Sequence, residues 1–126
     1  MARKHIQQMN STEKAFVHGY IRKNADLAFG IAHFYDRATD RHFSLTDAIS
    51  ALKSGLVVEV HNDKAPSVRA LVRDQKGTCA VVELGTMQVV TVYYNDPADQ
   101  HETLNWAPYR WSVDLVQVIK SFRKAA

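Results

Sequence analysis

Between Ser11 and Asp40 the apolar positions Phe16, Tyr20, Leu27, Ile31, Phe34 and Ala38 recur close to the 3.6-residue repeat of a helix. Asn10 or Ser11 stands where an N-cap is needed, with Glu13 behind it to close a capping box. Gly19 and Gly30 interrupt the pattern, each costing about 1 kcal/mol relative to Ala inside a helix, so Gly30 is the place for a bend or break. A second helix is more sharply marked. Ser44 caps it, Asp47 completes the box, Leu45, Ala48, Ile49 and Leu52 form its apolar stripe, and Gly55 offers a left-handed stop.

After Gly55 the repeat changes from helical to extended. The runs "LVVEVHN", "SVRALVRD", "TCAVVELG" and "MQVVTVYYND" read as four strands, the first pair separated by an Asp63–Pro66 turn and the last by a tight Gly85–Thr86 turn. Strands so close in sequence pair most simply as antiparallel hairpins. In the second of them Val68, Ala70 and Val72 alternate with Arg69, Leu71 and Arg73. A polar loop, "NDPADQHETLNWAP", precedes a final helix capped at Ser112, with Leu115, Val118, Ile119 and Phe122 on one face. The expected fold is α+β, with N-terminal helices packed on one face of a four-stranded antiparallel sheet and a C-terminal helix.

At 126 residues the chain is one domain's worth, with 46% hydrophobic and 23% charged residues, ordinary for a soluble protein. No apolar run approaches the roughly 18 residues of a membrane span, and the basic start lacks the apolar core of a secretory signal. A single cysteine, Cys79, excludes an internal disulfide and fits a reducing, cytoplasmic setting. A net charge of +3 permits contact with nucleic acid without requiring it.

The chemical inventory is narrow. There is no phosphate-binding glycine loop, no dinucleotide fingerprint and no G-x-S-x-G elbow. The six histidines, at 5, 18, 33, 42, 61 and 101, lack the spacing of a zinc site, and no cofactor is called for. What remains is His, Arg, Lys, Thr and Tyr. That set suits cleavage of RNA without a metal, where the substrate's own 2′-hydroxyl is the nucleophile and the protein supplies an acid, a base and cations.

His33, Arg37 and Arg41 stand four residues apart, followed by His42, a capped helix ending "LKSG", then "VVEV", then strands ending "VVTVYYNDP". This order resembles a family of uncharacterised small bacterial and phage domains in the barnase–EndoU–colicin–RelE superfamily of RNase-like folds. The resemblance covers residues 31–97; it leaves 1–30 as an N-terminal helical extension and 98–126 as an aromatic loop with the C-terminal helix, all within a single domain. It implies helices on a four-stranded antiparallel sheet, and a metal-independent, often toxin-like ribonuclease. His33 matches the family histidine, Arg37 and Arg41 its arginines, and Arg69 a strand cation on the sheet's open side. Thr91 or Tyr93 would supply a hydroxyl near the end of the last strand.

Each of these residues also has a plainer reading. His33 could pack beside Phe34 and Tyr35, and Arg37 and Arg41 could pair with the interleaved Asp36 and Asp40 on a salted helix face. His42 could shape the turn before Ser44. Arg69 and Arg73 could simply wet a solvent-facing sheet surface. Trp106, Tyr109 and Trp111 could stack bases, close a core edge or form a protein interface. Two functions follow: a metal-independent endoribonuclease acting on RNA, or a non-catalytic module on the same fold that binds a host or cognate protein. The sequence carries no sign of a membrane partner and none of an oligomeric state.

Overall fold

The computed structural model describes residues 2–96 and 106–125. Its elements run β1 (Arg3–His5), α1 (Ser11–Asn24), β2 (His33–Asp36), β3 (Arg41–Ser44), α2 (Leu45–Ser54), β4 (Leu56–His61), β5 (Arg69–Arg73), β6 (Thr78–Glu83), β7 (Gln88–Tyr94) and α3 (Leu115–Ala125). The α+β class is as expected, but the main sheet has five strands, in the order β1-β4-β5-β6-β7, all neighbours antiparallel. The added strand is β1, whose Arg-Lys-His sequence carries no apolar alternation to announce it.

Alternation along the strands assigns the two faces of this sheet. Val57, Val60, Ala70, Val72, Ala80, Val82, Val89 and Val92 join one apolar core with Val17 and Ile21 of α1, Ala48, Ala51 and Leu52 of α2, and Leu115 and Ile119 of α3. Arg69, Leu71, Arg73, Cys79, Val81, Thr91 and Tyr93 occupy the alternate positions and so face the other way.

Both expected capping boxes form. The Asn10 side chain accepts from the Glu13 amide at 2.8 Å and the Ser44 hydroxyl from the Asp47 amide at 3.1 Å. Gly55 ends α2 differently from expectation, in extended backbone (φ −81°). It is required for closeness instead, since a Cβ there would lie 2.5 Å from the Ala51 carbonyl oxygen and 2.6 Å from Val72. In place of Ser112, Asp114 caps α3, its carboxylate accepting from the Val116 amide at 3.0 Å.

The largest departure concerns residues 28–44. Helix α1 stops at Asn24, one 3-10 turn follows over Ala25–Leu27, and the chain then runs extended. Phe29 bridges in parallel to Gln88, and Gly30 lies so near Val89 that a Cβ would sit 2.9 Å from its carbonyl oxygen. The expected second half of the first helix is therefore the β2–β3 hairpin, paired Phe34 to Phe43 and Tyr35 to His42. Asp36 makes the turn possible. Its carboxylate accepts from the Ala38 amide, the Thr39 hydroxyl and the Tyr94 amide, which closes the turn and docks the hairpin on β7.

Candidate functional site

The hairpin redistributes the residues that looked like one helical row. His33 and Tyr35 are exposed, whereas Phe34 and Asp36 between them are buried. His42 is the cross-strand partner of Tyr35, with ring centroids 4.7 Å apart, so His33, Tyr35 and His42 share the outer face. His33 and His42 are diagonal neighbours across the two strands, a relation that sets such residues about 7–8 Å apart. Arg41 lies opposite Asp36 on the other face, with its guanidinium 3.8 Å above the Tyr94 ring. The four-residue spacing of His33, Arg37 and Arg41 thus does not make a row, because a strand alternates sides and the turn intervenes.

The salted-face reading of the arginines fails on the carboxylates. Asp36 is engaged by the Tyr94 amide first, then by Thr39 and Ala38, and these donors hold its carboxyl below the usual carboxylate range. Asp40, in left-handed backbone at φ +53°, accepts a 2.5 Å hydrogen bond from the Tyr35 hydroxyl, which raises the pKa of that phenol. Among the described residues neither Arg37 nor Arg41 forms an ion pair.

The remaining candidates form a separate group on the sheet. Arg69 and Arg73 are half-buried on β5, Thr91 is exposed on β7, and Tyr93 is half-buried beside it. Arg69 has its Nε buried without a hydrogen-bond partner. The register Leu71–Val81–Thr91 puts Arg69 and Thr91 two strands and two residues apart, roughly 12 Å between backbones. Burial, reinforced by the nearby Cys79 and Glu59, pushes the Tyr93 phenol up to about 12. It can donate a proton in a hydrogen bond at neutral pH but cannot act as a base. No side-chain hydrogen bond, ion pair or ring contact joins any two of His33, Arg37, Arg69, Thr91 and Tyr93. They form two clusters.

The aromatic tail belongs to the opposite edge. Arg3 donates to the Pro108 carbonyl and Trp111 to the Arg3 carbonyl, so residues 108–111 dock along β1. Tyr109 is buried, and its hydroxyl donates to Glu59 at 3.0 Å. Trp106 is 45% exposed and meets His5 edge-on at 5.3 Å. Trp111 packs partly against the core. Tyr109 and Trp111 therefore close a core edge. Beside them Arg3 bridges Glu59 and Asp63, and burial lowers the pKa of His61 despite the neighbouring Asp63.

Tyr35 was absent from the sequence candidates. The signal for it was the alternation of His33 to Asp36, hidden because its second inward residue is an aspartate. Among the described residues, no His, Cys, Asp and Glu side chains group to hold a metal ion, and no helix is long and apolar enough to cross a membrane. No family model, curated protein or solved structure matches the chain.

Proposed function

We propose that the chain engages RNA through the β2–β3 hairpin and cleaves it without a metal ion. The observation that carries this reading is the outer hairpin face. It presents two histidines diagonally across an exposed tyrosine, next to arginines whose neighbouring carboxylates are already occupied. Single-stranded RNA is bound by stacking its bases on aromatic rings and neutralising its phosphates, and Tyr35, His42 and Arg37 are of the types that do so. Attack of a 2′-hydroxyl on phosphorus requires one group to take its proton and another to protonate the departing 5′-oxygen. The P–O2′ bond forms as the P–O5′ bond breaks, giving a 2′,3′-cyclic phosphate and a 5′-hydroxyl. His33 and His42 supply the two proton-transfer groups, and Arg37 faces the charge that builds on the phosphoryl oxygens. The resemblance to RNase-like domains points the same way.

The division of the candidates into two clusters favours a second reading, a module that binds its partner without cleaving it. Labelled total RNA, incubated with and without chelator, separates the two. Chelator-resistant cleavage that disappears in both His33→Ala and His42→Ala supports the ribonuclease. RNA retention that needs Arg37 but yields no cleavage leaves a binding module. Folded protein that neither retains nor cleaves RNA overturns the proposal.

A further inference from the structure

Helix α1 grips the junction between α2 and β4 with two side chains one turn apart. Strand β1 pairs with β4 only from Glu59 to His61, so among the described residues the earlier part of β4 has no strand on that side. Val57 is buried there, and its amide donates instead to Nε2 of His18 at 2.9 Å. The other ring nitrogen, Nδ1, lies 2.7 Å from the Lys14 carbonyl oxygen on the preceding turn. Arg22, one turn further along α1, donates to the Gly55 carbonyl at 3.3 Å. The junction they hold is tight, with the backbone at Gly55 pressed against Ala51, Val72 and Arg73.

These partners fix the protonation of the ring. A carbonyl oxygen only accepts and an amide only donates, so Nδ1 carries the proton and Nε2 offers a lone pair. An imidazolium has a donor on both nitrogens and cannot receive the Val57 amide. We infer that His18 is an acid-released latch: neutral, it fastens α1 to the start of β4, and protonated, it lets that contact go. The surroundings give the imidazolium nothing in exchange. On its own helix His18 stands between two cations, Lys14 and Arg22, four residues to either side. On the elements packed around α1, Lys53 of α2 is paired with Asp26, Glu59 of β4 with Arg3, and Glu13, against the start of α3, with Lys4. Asp114 accepts the Val116 amide, and Lys120 of α3 is a further cation. Among the described residues no carboxylate forms an ion pair with His18. His5 and His61 also accept amides, from Gln7 and Asp63, but each within its own turn, whereas His18 joins segments 39 positions apart.

Two measurements on the full chain test this. Nitrogen NMR of the His18 ring at about pH 8 reports which nitrogen carries the proton. Urea unfolding from about pH 8 to about pH 5 compares wild type with His18→Gln, whose side-chain oxygen accepts an amide and does not titrate. The unfolded chain takes up a proton that the fastened ring refuses. The latch therefore contributes fully at the alkaline end and weakens on acidification, by up to about tenfold in the unfolding constant per pH unit. The expected result is a ring protonated on Nδ1, and a wild-type unfolding constant that rises at least tenfold relative to His18→Gln across the range. Taking the ratio to the variant cancels the acid response of Glu13 and of the other histidines. A ring protonated on Nε2 overturns the inference, as does a ratio that stays within twofold throughout. The ring measurement needs wild type alone, so it decides the matter even where the variant does not fold.

Discussion

Replacing Lys4 by methionine is expected to destabilise the fold by about 3–5 kcal/mol, the usual cost of leaving a buried charge without its partner. Lys4 and Glu13 are 7% and 3% exposed, with Nζ 2.5 Å from the carboxylate. The lysine also donates to the Val113 carbonyl at 2.9 Å, and the same carboxylate accepts from the Leu115 amide at 3.1 Å and the Asn10 amide at 3.2 Å. One ion pair therefore ties the edge strand, the start of α1 and the start of α3. Burial by itself would raise the pKa of Glu13; the Lys4 hydrogen bond, the two amide donors and the lysine charge outweigh it, and the net shift is downward. A depressed carboxyl contributes stability that is fully present above its unfolded value, near 4.3, and is lost as the pH falls through its lower folded value. In Lys4→Met only the two amides are left to oppose the burial, so the downward shift of Glu13 and the acid-dependent part it brings shrink or are lost, while stability at neutral pH falls. Methionine preserves most of the apolar stem, which keeps the comparison electrostatic. Urea unfolding at neutral pH and at a descending series of acid pH values measures both effects, with Glu13→Gln and the double variant completing a cycle. A Lys4→Met cost below about 1 kcal/mol, typical of exposed pairs, would refute the reasoning. So would an acid-dependent loss unchanged in Glu13→Gln.

Two glycines give opposite expectations under the same assay. Gly55→Ala is expected to cost about 1–3 kcal/mol, because the added Cβ meets backbone and Val72 that cannot withdraw. Gly19→Ala is expected to stabilise by about 0.5–1 kcal/mol, since position 19 lies inside α1 with nothing within 4 Å of the new Cβ. Burial pushes the Cys79 thiol up to about 11, so the native protein should not react with a chromogenic disulfide reagent at pH 8 and should react fully in denaturant. Rapid labelling of the native protein would show that the sheet face around Cys79 opens to solvent.

The strands from Leu56 to Tyr94 and helices α2 and α3 were legible because their signals are local. Each strand alternates or runs apolar between turn residues, and each helix has an apolar stripe on one face. The edge strand β1 was not legible, since its inward Lys4 is held by Glu13, a partner that no local pattern announces. The tail was half legible. Its aromatics were visible, but their docking on β1 depends on backbone hydrogen bonds to Arg3 and on Glu59 receiving the Tyr109 hydroxyl.

The hairpin shows why the site itself was harder. Residues 31–44 satisfy two periodicities at once. Their cations fall at steps of four, whereas Phe34, Asp36 and Phe43 point inward at strand register. Helix propensity is a weak prior that packing overrides, and two features here override it. Gly30 needs close approach to Val89, which α-helical backbone would not give. Asp36 finds three donors in the turn and on β7, so burying a carboxylate there costs less than its charge suggests. The same aspartate frees Arg37 from its sequence neighbour. One buried carboxylate thus decides both that the segment is a hairpin and that its exposed arginine makes no ion pair with the aspartate before it. Hydrophobic patterning cannot express that, because the deciding residue is polar and its third partner is fifty-eight positions away.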